Sequence, residues 1–231
     1  MTLTAYSESL VAIWKGPFSW PGLESDNDLP PLPKCACGVY LQTVEFHRDG
    51  YLIYLAGHAK DIRKRFSQHE LKRREGNQIN VFDIELLKRG KRVRVWNGFI
   101  DWWKSNALPE HLGEREAALG LPVDWGMEYP DPDTRKREAF HLHRANILDA
   151  TLRQCRAFRI FVAEFGPDDR LRKRLEAGIM DSLASAPLPF SSIPDTGMAL
   201  SRRDASKGEF PITVENVASA TLHALPGIME I

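Results

Sequence analysis

The sequence predicts an α+β fold: a small, mostly antiparallel three-stranded sheet flanked by helices, with a large insertion and terminal extensions. Three observations predict it. First, "CGVYLQTVEF" (37–46) and "YLIYLAG" (51–57) are short runs rich in apolar, β-branched and aromatic residues. The turn signal "HRDG" (47–50) joins them into a β-hairpin. Second, a helix pattern follows the hairpin directly. Third, "AFRIFVAEF" (157–165) reads as a buried strand with the helix "RLRKRLEAGIMDSLAS" (170–185) behind it. Hairpin, helix, insertion, strand and helix in that order make a mixed unit with a largely antiparallel sheet.

Taken in order, residues 1–29 are an N-terminal arm. The Pro and Gly clusters "KGPFSWPG" and "SDNDLPPLP" interrupt regular structure there, and Trp14, Phe18 and Trp20 are expected to pack the arm on the body. The body spans 30–187, with the insertion at about 77–156. Asp61 can cap its first helix, Ile62 and Phe66 sit at i, i+4 as the buried stripe, and Gly76 fits the stop. In the insertion, "VFDIELL" suits either a strand or a short helix, and "KRVRVW" alternates as a strand. Residues 106–133 are Pro-rich and irregular, and 133–154 form a long helix starting near Asp133. The turn "GPDD" (166–169) can cap the last helix, where Leu171, Leu175 and Ile179 repeat at i, i+4, i+8. Residues 188–231 are a C-terminal extension with one short apolar segment (211–221).

With 43% hydrophobic and 27% charged residues, the composition is that of a soluble globular protein with a real core. Lys+Arg and Asp+Glu balance at 31 each, so net charge does not point to nucleic acid. The distribution of charge does, with basic clusters at 60–74, 87–94, 134–137 and 170–174. The cysteines, Cys35, Cys37 and Cys155, are too few and odd in number for a disulfide framework, which favours a reducing cytoplasm. They also lack partners at tetrahedral-site spacing, and His141 and His143, two apart on a helix, do not share a face, so no structural zinc is expected. The N-terminal stretch lacks the basic start and long apolar run of a secretory signal, and no stretch approaches the ~18 apolar residues of a membrane span.

Arg65 and His69, four apart, share a face of the first helix beside its buried stripe. A guanidinium there is a planar fork suited to phosphate, and an imidazole can orient water or donate to an oxygen. Taken singly these residues have plainer roles. Arg65 and His69 fit a solvated basic face, Tyr40 and Tyr54 fit strand packing, and Glu176 lies at the border of an apolar stripe, facing either a cleft or water.

Together they form a pattern. "LPPLPKCACGVYLQTVEFHRDGYLIYLAGHAKDIRKRFSQH" resembles the opening of the GIY-YIG nuclease superfamily, and "GHAKDIRKRF" is similar in particular to the nuclease subunit of bacterial excision repair. Gly38-Val39-Tyr40 stands for the first tripeptide and Gly57 closes the second. Asp61, Ile62, Arg65 and His69 fall on the family's helix pattern. The resemblance implies a metal-dependent endonuclease acting on DNA, with RNA as the open alternative. It implies Tyr40 as general base, Arg65 as phosphate stabiliser, and Glu176 as the ligand of Mg²⁺ or Mn²⁺, with Glu138 as the rival carboxylate. His69 and Tyr54 assist, and His58, Lys60, Lys64 and Arg172 contact substrate. Trp96, Trp102 and Trp103 in the insertion read as core, with base stacking as the minor alternative.

The chain departs from the family where the second tripeptide becomes Leu55-Ala56-Gly57, with Tyr54 one place early. On a regular strand that shift turns the ring to the opposite face, unless a bulge restores it. The competing expectation is therefore a non-catalytic nucleic-acid-binding protein on a degenerate scaffold.

Overall fold

Alternation, turn chemistry and capping produce the following elements in the computed structural model, which describes residues 8–34, 36–74, 81–96, 132–194 and 209–231. In chain order they are β1 (Glu8–Phe18), α1 (Glu24–Asn27), β2 (Gly38–Glu45), β3 (Tyr51–Ala59), α2 (Ile62–Arg74), β4 (Val81–Phe82), α3 (Ile84–Leu87) and β5 (Arg94–Trp96). Then come α4 (Pro132–Ala157), β6 (Phe158–Glu164), α5 (Asp169–Ser185), β7 (Ile212–Ala218), β8 (Leu222–His223) and β9 (Ile228–Glu230).

The expected small three-stranded sheet does not form. The main sheet has seven strands in the order β8-β3-β2-β6-β1-β7-β9, and β4 and β5 make a separate pair. It is mixed and curled into a half-barrel. β2 runs antiparallel to both β3 and β6, while β1–β7 and β3–β8 are parallel. Both supposed appendages enter the sheet. The N-terminal arm supplies β1, and the C-terminal extension supplies β7, β8 and β9.

β1 was hidden by its Gly-Pro. Ala12 and Trp14 are buried while Val11 and Ile13 are more than half exposed, the alternation of a strand with one covered face. "KGP" resembles a stop, yet it lies where the β1–β6 register slips between Lys15 and Phe18. A bulge tolerates a proline, which has no N–H to give to the ladder. The irregularity also brings β1 close. A Cβ on Gly16 would fall 2.7 Å from the Ile160 carbonyl oxygen.

The sheet is covered on both faces. On one, Leu175, Ile179, Met180 and Leu183 of α5 pack against Val39, Leu41, Phe161 and Ala163. On the other, Ile62 and Phe66 of α2 pack against Tyr40, Val44, Phe158 and Ile160, with Trp20 of the arm beside them. Ile62 and Phe66 are fully buried, and each contributes roughly 1.5–3 kcal/mol. α5 starts where expected, because the Asp168 carboxylate accepts from the backbone N–H groups of Arg170 and Leu171. The ambiguous "VFDIELL" divides into β4 and α3, with Asp83 capping α3 by accepting from Leu86 N at 2.9 Å. Trp96 packs with Val81 and Ile147 in a satellite core. Trp102, Trp103, Cys35 and the side chain of Glu138 lie outside the described residues. No helix among the described residues is long and apolar enough to cross a membrane.

Asp169, in the first turn of α5, accepts from Lys173 Nζ at 2.7 Å and Arg172 Nη2 at 3.0 Å. These cations hold its carboxyl down from 3.8 to about 2. A depressed carboxyl stabilises the fold fully above its unfolded value and loses that contribution as pH falls through its folded value. The thermal midpoint of wild type is therefore expected to fall between pH 4 and pH 2 more steeply than that of Asp169→Asn, with the variant less stable at neutral pH. Parallel midpoint-against-pH curves would contradict this assignment.

Candidate active site

α2 leaves β3 after two residues, and its start is fixed by hydrogen bonds. The Ile62 N–H donates to the Ala36 carbonyl at 2.9 Å, and the Asp61 carboxylate accepts from Lys64 N at 2.9 Å. With Ile62 and Phe66 held against the sheet, helical geometry turns Arg65 and His69 toward the flank of the buried stripe. Arg65 and His69 are partly exposed, whereas Lys60 and Lys64 are exposed.

Tyr40 is 2% exposed and held from two sides. The Phe66 ring meets it edge-on at 5.1 Å. On β3, Gly57 is its register partner. A Cβ on Gly57 would lie 2.4 Å from Tyr40 Cζ and 2.5 Å from its hydroxyl oxygen. The phenol thus crosses the strand where there is no side chain. Gly57→Ala is expected to displace this ring and to change the near-ultraviolet circular dichroism while the chain still folds, because the obstruction is a side chain rather than backbone. An unchanged near-ultraviolet spectrum would show that the ring keeps its place when a Cβ is added.

The hairpin contains the bulge that the shifted tyrosine calls for. Gln42 pairs with Leu55 and Thr43 with Ile53, so Tyr54 is the extra residue. The bulge keeps Tyr54 in the same apolar cluster as Tyr40. Its ring is nevertheless interior. It stacks on Phe158 at 5.7 Å and meets Phe82 at 5.3 Å, and the residue is 5% exposed.

Glu176 follows Leu175 on α5 and approaches the sheet from the opposite face. Its Oε2 contacts His58 Nδ1, and the two side chains are 5% and 16% exposed. His58 pairs in register with Val39, on the α5 side of the strand. A carboxylate buried this deeply requires a partner, and His58 is one.

These groups line a single cleft of about 540 Å³. Of the nine site residues expected from sequence, Tyr40, His58, Lys60, Lys64, Arg65, His69 and Glu176 line it, and Tyr54 and Arg172 do not. Tyr40 and Glu176 are buried, while the two lysines stand in solvent. Arg172 has a different role from the one expected. Its guanidinium is wholly buried and donates to the Gly166 carbonyl at 2.6 Å, Cys37 Sγ at 3.1 Å and Asp169 Oδ1 at 3.0 Å. It ties the β6–α5 turn to the start of β2 and is a structural staple. The α5 periodicity marks which residues face the sheet but does not foretell that a turn will close over a cation.

Sequence reasoning missed the pairing of His58 with Glu176. Alternation does place His58 on the strand face opposite Gly57's partner Tyr40, but nothing local says that α5 covers that face. As a cation site, the cleft brings the Glu176 carboxylate and the His58 imidazole into contact, with Asp61 and His69 elsewhere on its wall. No group of three or more His, Cys, Asp or Glu side chains suited to a metal occurs among the described residues. That donor set fits a hydrated divalent ion that takes its remaining ligands from water and substrate phosphate. In comparison with known proteins, the chain matches no family model, no curated protein and no solved structure.

Proposed function

We propose that the chain is a metal-dependent endonuclease of the GIY-YIG type that hydrolyses phosphodiester bonds in DNA. The observation that carries this reading is the shared cleft. Tyr40, Arg65 and Glu176 come from three separate segments of the chain and line one cavity with two exposed lysines. The free thiols Cys37 and Cys155 fit a cytoplasmic setting.

Each residue has a role that its position permits. A divalent cation, when bound, supplies Lewis acidity toward the phosphate, and Glu176 holds it. Arg65 receives phosphoryl oxygens in its fork and offsets the charge that develops on them. Tyr40 takes the proton of the attacking water. His69 donates to an oxygen at the cleft wall. Lys60 and Lys64 hold flanking phosphates, which makes binding weaken as salt rises.

A nicking assay on supercoiled plasmid with Mg²⁺ or Mn²⁺ tests the reading. Arg65→Ala and Tyr40→Phe are each expected to slow nicking about 10²–10³-fold with unchanged circular dichroism. Wild type that shows no nicking with either cation would defeat it. A second reading, a nucleic-acid-binding protein without chemistry, draws on the burial of Tyr54, which leaves Tyr40 as the one tyrosine among the described residues lining the cleft. Salt-sensitive DNA binding without cleavage would select that reading.

A further inference from the structure

The carboxylate assigned to the cation does not face the cleft alone. Glu176 Oε2 and His58 Nδ1 point at the same place, from α5 and β3 respectively, and touch there. Both side chains are largely withdrawn from solvent and both line the cleft. An imidazole nitrogen and a carboxylate oxygen that converge from two rigid elements form a two-point chelate. Octahedral geometry with bonds of about 2.1 Å separates adjacent ligands by roughly 3 Å. An ion held between them takes the place of the hydrogen bond that the two groups share.

We propose that His58 is a second protein ligand of the cation, so that the site prefers an imidazole-accepting metal such as Mn²⁺ over Mg²⁺. This rests on Glu176 being the cation ligand of the nuclease reading. Carboxylate and water alone suit Mg²⁺ and Mn²⁺ alike, whereas imidazole suits transition ions, and Mg²⁺ dehydrates reluctantly and is held through oxygen. The nitrogen is what separates the two. A positioning role, in which His58 only steadies the carboxylate, predicts no such separation and gives the competing outcome of the test.

The experiment uses the full chain and Mn²⁺ itself. Pulsed electron paramagnetic resonance on Mn²⁺-loaded wild type reads any nitrogen bonded to the ion. A directly coordinated ¹⁴N coupling, replaced by a ¹⁵N coupling on histidine labelling, is expected. Calorimetric titrations should give Mn²⁺ affinity about tenfold or more above that for Mg²⁺. In His58→Ala, Mn²⁺ affinity should fall about 10–100-fold while Mg²⁺ affinity changes less than threefold. In Glu176→Gln, both should be lost. Mn²⁺ that needs Glu176 yet shows no nitrogen coupling overturns the proposal. Equal Mn²⁺ affinity in wild type and His58→Ala, or no Mn²⁺ binding to wild type, also overturns it. The wild-type spectrum decides the point even if His58→Ala fails to fold. Cleavage is read separately. A Mn²⁺ site with nitrogen coupling but no nicking would retain the ligand assignment and remove the nuclease reading. Nicking without nitrogen coupling would do the reverse.

Discussion

Glu176→Gln is expected to lower DNA nicking by about a thousandfold or more, equivalent to about 4 kcal/mol of lost transition-state stabilisation. The effect is large because Glu176 is the carboxylate that meets His58 in the cleft, whereas Asp61, which also lines it, caps α2 by accepting from Lys64 N. Glutamine retains the volume of the side chain and a polar contact with His58, but it lacks the charge that binds a divalent cation. Because glutamine still pairs with His58 and strands no buried polar group, the thermal midpoint should be retained. Loss of cleavage with retained stability is the expected pair of results. Wild-type nicking in Glu176→Gln would remove Glu176 from the chemistry, and a collapsed thermal midpoint would give it a structural role instead.

Gly38→Ala should have the largest effect on stability, on the order of 3–5 kcal/mol. Gly38 opens β2 opposite Glu164 of β6 and Ala59 of β3. A Cβ there would lie 2.1 Å from the Ala163 carbonyl oxygen and 3.0 Å from the Glu164 Cα. These are backbone atoms of a central strand, so relief requires separation of β2 from β6, with loss of ladder bonds and of packing beneath Phe161 and Ala163. Gly166→Ala is the control, because nothing lies within 4 Å of a Cβ at that position. Urea titration should move the midpoint strongly for Gly38→Ala and hardly at all for Gly166→Ala. Equal midpoints for the two would show that the β2–β6 spacing relaxes easily. The glycine of the first tripeptide therefore has a steric reason that is independent of any chemistry.

Much of the cleft was legible in the chain. Asp61, Ile62, Arg65 and Phe66 encode a capped helix with a two-residue stripe, and that pattern alone sets Arg65 to one side of the buried face. Gly57 opposite Tyr40 follows once the hairpin is recognised, although the bulge at Tyr54 had to be seen before the register was certain. Arg172 shows the limit of such reading. It occupies a basic cluster that suggests a solvent face or a DNA contact, but in the fold it is fully buried against the Gly166 carbonyl and Cys37.

By itself the sequence determined the hairpin, the strand at Phe158–Glu164, the two capped helices behind them and the presence of Tyr40, Arg65 and Glu176 on separate elements. Each of these depends on periodicity and capping within about ten residues, where a chain's local preferences act. Only the tertiary structure decided that the sheet has seven strands, that both termini enter it, that Tyr54 turns inward and that His58 meets Glu176. Those outcomes depend on which distant apolar faces bury one another, and a strand's alternation states that it has a covered face without naming what covers it.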